Sequence, residues 1–209
     1  MSHDSVKQRV ANYYSQKLVN HGLTHQGVDW NSTESQWLRF RQLLRGFDLQ
    51  PPFSIADYGC GYGALVEYLI RQDLSFRYAG YDISESMIQA AGNLYAHLAN
   101  ARFFVGDQLQ TADYVVASGI FNVRMGYVDT QWEDYIRDGL LRMDRASVKG
   151  FSFNILTSYS DPPLQRTDLY YADPGYWFDW CKRHFSKNVA LFHDYNLYEF
   201  TISVLKSRD

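Results

Sequence analysis

From Phe53 onward the sequence alternates short apolar runs with stretches of helical periodicity, and this alternation limits the possible folds more than any other feature. Apolar runs of about four to eight residues predict buried strands, and the amphipathic stretches between them predict crossover helices. Strands and helices in this order form βαβ units on a parallel sheet. We predict strands near 53–57, 77–82, 102–105, 114–118 and 150–156, and helices near 63–71, 85–98 and 130–145.

One connection is too short for a helix. The segment between Val105 and Tyr114 has to join the third strand to the fourth. About seven extended residues reach only about 23 Å, enough to descend the sheet and pass under two strands. We therefore expect a shortened crossover formed by a loop or a single helical turn.

The N-terminal part of the chain is expected to be helical. Apolar spacing predicts one helix over 5–21, and a capping-box pattern at 33–36 begins a second. Residues 1–50 would then form a helical cap in front of a Rossmann-like core over 51–209. The length suits one domain spanning the whole chain.

The C-terminal part predicts one more helix and a hairpin. Asp173 and Pro174 provide an N-cap and a first-turn proline for a helix that ends near Phe185. Apolar and polar residues alternate over 198–204, and the run 188–193 can pair with this strand as a hairpin. An antiparallel element at the edge of the parallel sheet follows.

The composition limits the classes of binding partner and the compartment that we expect. The formal net charge is -3, so the chain has no basic field of the kind that attracts nucleic acid, and we expect no nucleic-acid partner. No secretion signal and no apolar run of roughly 18 residues is visible, which favours a cytoplasmic protein without a membrane partner. The cysteines, Cys60 and Cys181, lack metal-site spacing and suit a reducing compartment. The oligomeric state stays open.

A glycine loop follows the first predicted strand. Residues 57–63 read Asp-Tyr-Gly-Cys-Gly-Tyr-Gly, and Gly59, Gly61 and Gly63 allow a tight turn with the backbone close to a ligand at the next helix N-terminus. The same residues satisfy the dinucleotide-binding fingerprint if Ala64 replaces its last glycine. The loop alone therefore does not choose between cofactors.

The surroundings of the loop resemble motif I of the class I S-adenosylmethionine-dependent methyltransferases. Asp57 stands two positions before the first glycine, Asp82 ends the second strand and Asp107 follows the third. The resemblance implies that these acids contact the methionine end, the ribose hydroxyls and the adenine amino group of S-adenosylmethionine, whose product is S-adenosylhomocysteine. It also implies strand order 3-2-1-4-5-7-6 with an antiparallel last strand, in a three-layer α/β sandwich.

The same resemblance extends to further cofactor contacts. Ile83 and Met87 would cover the adenine, with Gln108 beside Asp107, and Ser118 and Gly119 would approach the sulfonium. Arg39 of the cap is a candidate partner for the cofactor carboxylate. The full expected cofactor set is Asp57, Gly59, Cys60, Gly61, Gly63, Asp82, Ile83, Met87, Gly106, Asp107, Gln108, Ser118, Gly119 and Arg39.

The methyl acceptor is less well defined. The resemblance and the tyrosine-rich composition favour methylation of oxygen or nitrogen on a small molecule or glycan precursor. Catalytic candidates near strand ends are His193, Asn122 and Asp161. Metal dependence is not expected, because a catechol-type metal site would need acids where Asn122 and Asn154 stand. Candidate acceptor contacts are Tyr14, Trp30, Asn122, Tyr159, Tyr170 and Tyr171.

Two other functions remain as alternatives. A module that binds S-adenosylmethionine without chemistry of its own would carry the same acids. An NAD-dependent oxidoreductase would share the glycine loop and Asp82, but the sequence has no convincing Tyr-xxx-Lys pair for hydride transfer.

Overall fold

The computed structural model describes residues 3–24, 32–124 and 126–206, and the side chains of 3–7 and 21 are outside this description. One mixed sheet of seven strands in the order β3-β2-β1-β4-β5-β7-β6 runs through these residues. The strands are β1 Phe53–Tyr58, β2 Phe76–Asp82, β3 Ala101–Val105, β4 Ala112–Ala117, β5 Ser147–Leu156, β6 Asn188–Phe192 and β7 Glu199–Leu205.

Pairing in the sheet is parallel from β3 through β5 and antiparallel at β7. The predicted strand order and the antiparallel last strand are both confirmed. Asp57 on β1 is opposite Gly80 on β2 and Val116 on β4, which places it in the middle of the sheet near its carboxyl edge. Ligands of open α/β sheets bind at this edge.

Helices cover both faces of the sheet. They are α1 His3–His21, α2 Thr33–Leu44, α3 Ala64–Arg71, α4 Glu85–Leu94, α5 Asp129–Ala146 and α6 Pro174–His184, with a short 3-10 turn at Pro162–Leu164. Alternate residues of each strand point to opposite faces. Val115 therefore joins a core with Trp132 and Trp177 of α5 and α6, whereas Val116 joins a core with Leu43 and Leu65 of α2 and α3.

The shortened crossover is confirmed, since residues 106–111 between β3 and β4 contain no helix. Two helix ends differ from prediction. The N-cap of α2 is Ser32, which exchanges side-chain hydrogen bonds with Ser35, so the capping box begins one residue before the predicted pattern. Helix α4 ends at Leu94 instead of near 98, because Gly92 and Asn93 in its last turn are weak helix formers.

The N-terminal helix α1 lies over the start of α4. Ser15 Oγ is 2.9 Å from Ser84 Oγ, and Ser86 Oγ donates to Ser15 Oγ at 3.2 Å. Ser84 is the N-cap of α4 and follows Asp82 closely in sequence. The cap is therefore fixed next to the carboxyl end of β2. None of the described helices is long and apolar enough to cross a membrane.

Candidate active site

The turn from β1 into α3 is a glycine loop with left-handed backbone. Gly59, Gly61 and Gly63 have φ values of 78°, 54° and 83°, a region that costs other residues roughly 1–2 kcal/mol. A Cβ on Gly59 would lie 2.1 Å from Ile120 Cγ2. The Gly59 backbone N–H donates to the carbonyl of Tyr81 at 2.7 Å. The loop therefore lies tightly between the end of β2 and the segment after β4.

Asp57 is a buried acid at the start of this loop. Its side chain is enclosed, with the residue only 4% exposed, and Tyr78 Oη donates to its Oδ2 at 2.7 Å. Burial raises the pKa of Asp57 to about 7, although the Tyr78 hydrogen bond opposes the shift, and the charge of Asp82 adds to it. A cationic ligand group beside Asp57 would favour its ionised form.

Asp82 closes β2 and receives backbone donors. The N–H of Gly61 donates to Oδ2 at 2.9 Å, and the N–H of Ser84 donates to Oδ1 at 2.8 Å. Burial raises the pKa of the carboxyl, while these donors lower it. Each carboxylate oxygen accepts about two hydrogen bonds, so Asp82 keeps acceptor capacity toward the cleft that it lines.

Asp107 follows β3 and is anchored to helix α5. It is 8% exposed, and Arg142 Nη1 lies 3.0 Å from its Oδ2. The preceding Gly106, with φ 120°, donates its backbone N–H to the Asp82 carbonyl at 2.8 Å. The ends of β2 and β3 are thus joined, and both acids face the same cavity.

These three acids line one cavity, the glycine-loop cleft, which holds about 920 Å³ including open solvent. Ten of the fourteen expected cofactor residues line it. It is lined by Val10, Tyr14, Gln36, Phe40, Asp57, Tyr58, Gly59, Cys60, Gly61, Tyr62, Ala64, Tyr81, Asp82, Ile83, Met87, Gly106, Asp107, Ser118, Ile120 and Tyr135.

The residues present fit a nucleoside with a cationic amino-acid tail. Carboxylates at successive strand ends can accept from hydroxyl, amino and ammonium groups. Apolar walls such as Met87, which is fully buried, suit a flat base. Ser118 Oγ is buried in the cleft wall with no hydrogen-bond partner among the described residues, so a polar ligand would satisfy it.

A second cavity adjoins the glycine-loop cleft. Its volume is about 1350 Å³ including open solvent, and Tyr14 of α1 lines both spaces. The boundary runs along the segment after β4, where Ser118 and Ile120 face the cleft and Gly119 faces the second cavity. Its lining residues are Tyr14, Arg39, Gly119, Asn122, Val123, Leu156, Ser160, Leu164, Arg166, Leu169, Tyr171, Asn196, Leu197 and Tyr198.

Four expected cofactor residues lie outside the cleft lining. Arg39 lines the second cavity, and its Nε donates to Glu199 on β7 at 2.9 Å. The buried acid thereby neutralises the buried guanidinium. Gly119 also lines the second cavity, and its N–H donates to Asn154 Oδ1 at 2.7 Å. The other two expected residues also lie outside the cleft lining. Gln108 is exposed in an outer groove, and Gly63 is the N-cap of α3, next to the rings of Phe103 and Tyr95.

Two catalytic candidates are not among the residues that line either cavity, although Asp161 contacts Tyr198 at the edge of the second one. His193 is exposed and its ring contacts Tyr159 and Phe200. Asp161 is exposed and accepts a hydrogen bond from the Tyr198 hydroxyl. The 3-10 turn and the β6–β7 connection carry these side chains outward, which the strand-end pattern did not predict.

Of the expected acceptor contacts, some line the second cavity and others do not. Tyr14, Asn122 and Tyr171 line the second cavity. The structure places two others elsewhere, since Tyr159 is 75% exposed and Tyr170 is buried with its hydroxyl on Glu133 at 3.1 Å. Trp30 lies outside the described residues.

Asn122 has a structural role in addition to lining the cavity. Its Oδ1 accepts from the Leu156 N–H at 3.1 Å, and its carbonyl accepts from the Tyr170 N–H at 2.8 Å. It thereby joins the segment after β4 to the segment after β5. Among the described residues, no group of three or more His, Cys, Asp or Glu side chains could hold a metal ion.

Several residues that line the cleft or contact its acids were not predicted from sequence. Tyr78 shares a strand face with Gly80 and Asp82, so the two-residue period of β2 was a signal that could have found it. Arg142 and Tyr135 come from α5, remote in sequence from the acids beside them. Their positions depend on how α5 packs on the sheet, and no local pattern encodes that.

Comparison with known proteins decides the family. The model of a methyltransferase domain matches residues 55–138. A Mycobacterium tuberculosis protein that is provisionally named a methyltransferase is 54% identical over 165 residues, which span 78% of this chain and 99% of the relative. This chain belongs to the class I S-adenosylmethionine-dependent methyltransferases. For this methyltransferase the choice that the glycine loop left open is therefore settled.

Solved structures share the methyltransferase fold at low sequence identity. A complex of the protein DhpI with SAM and HEP has a TM-score of 0.66 at 13% identity, covering 99% of this chain and 100% of that one. Haemonchus contortus phosphoethanolamine N-methyltransferase 1 has a TM-score of 0.65 at 15% identity, covering 100% and 51%. Human N-acetylserotonin methyltransferase has a TM-score of 0.61 at 16% identity, covering 84% and 57%.

Proposed function

We propose that this methyltransferase binds S-adenosylmethionine in the glycine-loop cleft and transfers its methyl group to a small-molecule acceptor held in the second cavity. The observation that carries the proposal is the junction of the two spaces. Tyr14 lines both of them, and Ser118, Gly119 and Ile120 form the wall between them. Donor and acceptor bound in adjoining spaces would meet at this wall.

In the cleft, the proposed roles follow from charge and strand position. Asp57 holds the cationic methionine end, Asp82 accepts from the ribose hydroxyls and Asp107 accepts from the adenine amino group. Ile83 and Met87 pack against the base. The buried hydroxyl of Ser118 forms a hydrogen bond with the methionine end of the ligand. Support comes from all six side chains lining one continuous cleft.

The chain contributes alignment and exclusion of water. Bound S-adenosylmethionine supplies an electrophilic methyl group on a sulfonium. The acceptor heteroatom would form a bond to the methyl carbon as the carbon–sulfur bond breaks, the electron pair of that bond would stay on sulfur as a neutral thioether, and the acceptor proton would pass to water. Because positive charge disappears from sulfur in this step, a desolvated and aligned pair can supply much of the rate.

Helix α1 serves in this proposal as the cover of the donor–acceptor junction. Its Ser15 contacts Ser84 and Ser86 at the start of α4, and its Tyr14 reaches both cavities. The cap and the core would then act as one methyltransferase domain. We propose oxygen or nitrogen of a small molecule or glycan precursor as the acceptor atom, supported by the tyrosines and amides that line the second cavity.

Two measurements test the proposal. Calorimetric titration should give tight binding of S-adenosylhomocysteine and none of NAD. A labelled methyl donor incubated with fractionated cell extract should label a small molecule. A Leu197→Trp variant, which fills the second cavity, should lose transfer and keep S-adenosylhomocysteine binding, whereas Leu94→Trp on the exposed end of α4 should keep both. Retained transfer in Leu197→Trp would show that the acceptor binds elsewhere.

A further inference from the structure

The second cavity has two arginines in its lining. Among its described lining residues, the charged ones are Arg39 from α2 and Arg166 from the segment after β5. These arginines come from parts of the chain that are far apart in sequence, so the fold brings them to one space. An arginine side chain that faces a cavity can offer N–H donors to an anionic ligand.

Each arginine is held by an acid that does not line the cavity. Glu199, which is fully buried, accepts from Arg39 Nε at 2.9 Å and also contacts Asn154. Asp168 accepts from Arg166 Nε at 3.0 Å and from a second guanidinium nitrogen. The buried Glu199 fixes the orientation of the Arg39 guanidinium, so less side-chain entropy is lost there when a ligand binds, whereas Asp168 orients the more exposed Arg166.

The remaining polar lining provides neutral donors and acceptors. Ser160, Asn196 and Tyr198 bring hydroxyl and amide groups to the same space. Tyr171 Oη accepts from the backbone N–H of Arg166 at 2.9 Å, which fastens the backbone at the second arginine. The cavity thus combines fixed cations with hydroxyl-binding groups.

We propose that the acceptor carries an anionic oxygen group, a carboxylate or a phosphate, that binds to Arg39 and Arg166 in the second cavity. This inference rests on the proposed function, because it names the substrate class for the same site. A guanidinium matches both oxyanions with paired N–H donors. Arg39 is almost enclosed, and its charge is less screened there than at an exposed position.

Probe binding to the protein saturated with S-adenosylhomocysteine tests the proposal. Benzoate and phenyl phosphate represent the two oxyanions, and benzyl alcohol is the neutral control. Calorimetry should show that at least one anion binds about tenfold or more tightly than benzyl alcohol, with weaker binding at high salt. Preference for benzoate or for phenyl phosphate distinguishes carboxylate from phosphate. Equal binding of all three probes would overturn the proposal.

Variants assign that binding to the arginines. Arg166→Gln should weaken the preferred anion about tenfold and leave benzyl alcohol unchanged, since one charge-assisted contact is lost. Arg183→Gln is the matched control, because both Arg166 and Arg183 are exposed arginines paired with an acid, and Arg183 lies on α6, outside the cavity lining. The double variant Arg39→Gln with Glu199→Gln removes the buried pair together and should weaken the same anion. Unchanged anion binding in both variants would overturn the proposal.

The proposed function and this inference fail in different ways. If labelled methyl reaches an acceptor that an anion-exchange resin does not retain at neutral pH, the acceptor class is wrong and the methyl-transfer function stands. If the anion binds as described but no methyl is transferred in any fraction, the anion site stands and the proposed transfer fails.

Discussion

The glycine-loop cleft takes its acids from neighbouring strand ends, whereas the second cavity is assembled from segments far apart in the chain. Asp57, Asp82 and Asp107 follow β1, β2 and β3 in order. The walls of the second cavity come from α1, α2 and the segments after β4, β5 and β6. A cleft built at adjacent strand ends can be recognised from a local pattern, while a cavity built from distant segments depends on long-range contacts.

Charge is handled differently in the two regions. In the glycine-loop cleft, burial raises the pKa values of Asp57 and Asp82. Ionising these carboxyl groups therefore costs free energy until a cationic ligand binds. In the second cavity, burial also raises the pKa of Glu199, but the charge and hydrogen bond of its buried partner Arg39 oppose that shift. The cleft is therefore arranged for a cationic ligand, whereas the buried cation of the second cavity has its acid beside it before any ligand binds.

The largest expected effect is in the second cavity. Glu199→Ala leaves Arg39 buried without its acid, which should lower the free energy of unfolding by about 3–5 kcal/mol in denaturant titrations. Asp194→Ala is the matched control, because its partner Arg45 lies on the same helix α2 but both side chains are exposed, and the loss should stay below about 1 kcal/mol. Equal losses would remove the contrast between the regions.

Asp57→Asn should have the opposite sign. The folded chain binds the Asp57 proton more tightly than the unfolded chain, so wild-type stability falls as the pH rises from about 4 to about 7. The shift of about three pKa units sets an upper limit of about 4 kcal/mol. Without cofactor, Asp57→Asn should be more stable than wild type at about pH 8, with little difference at about pH 4, while S-adenosylhomocysteine binds more weakly.

The control for Asp57 is another acid that lies beside β1. Burial acts to raise the pKa of Asp113, but hydrogen bonds from Lys149 and Ser54 hold it below its ordinary value. Stability from Asp113 is present above the unfolded pKa and is lost as the pH falls through the folded pKa. Asp113→Asn should therefore lower stability at about pH 8. A stabilised Asp113→Asn would contradict this account of the two acids.

Asp82→Ala should strongly weaken S-adenosylhomocysteine binding. Losing two charge-assisted hydrogen bonds to the ribose costs about 3 kcal/mol, which is roughly a hundredfold in affinity. Asp82→Asn preserves the shape and guards against unfolding, and Asp179→Ala on the exposed face of α6 should bind normally. Affinity within about threefold of wild type in folded Asp82→Asn would exclude the ribose role.

Tyr78→Phe should have the smallest effect. It removes the hydroxyl donor to Asp57, at a cost of about 1 kcal/mol, and raises the pKa of that carboxyl further. The pH dependence of S-adenosylhomocysteine binding should move to higher pH. Tyr114→Phe, which loses a hydrogen bond to the Asp48 carbonyl, should leave the binding profile unchanged. An unmoved profile in Tyr78→Phe would show that the hydroxyl does not tune Asp57.

The sequence predicted more of the residues that line the glycine-loop cleft than of those that line the second cavity. Ten expected residues line the cleft, because parallel strands place their carboxyl ends at one edge whatever the details of side-chain contact. Arg39 was predicted to contact the cofactor, and the structure pairs it with Glu199, some 160 residues away. No periodicity or motif carries a pairing over that separation.

By itself, the sequence determined the alternating sheet, the short crossover and the acids after three strands, since local spacing and steric limits govern each of them. Tertiary structure decided which arginines line the second cavity, which tyrosine spans both spaces and where His193 and Asp161 point. These features arise where distant segments meet, and their free energy depends on burial and charge pairing that exist only in the folded chain.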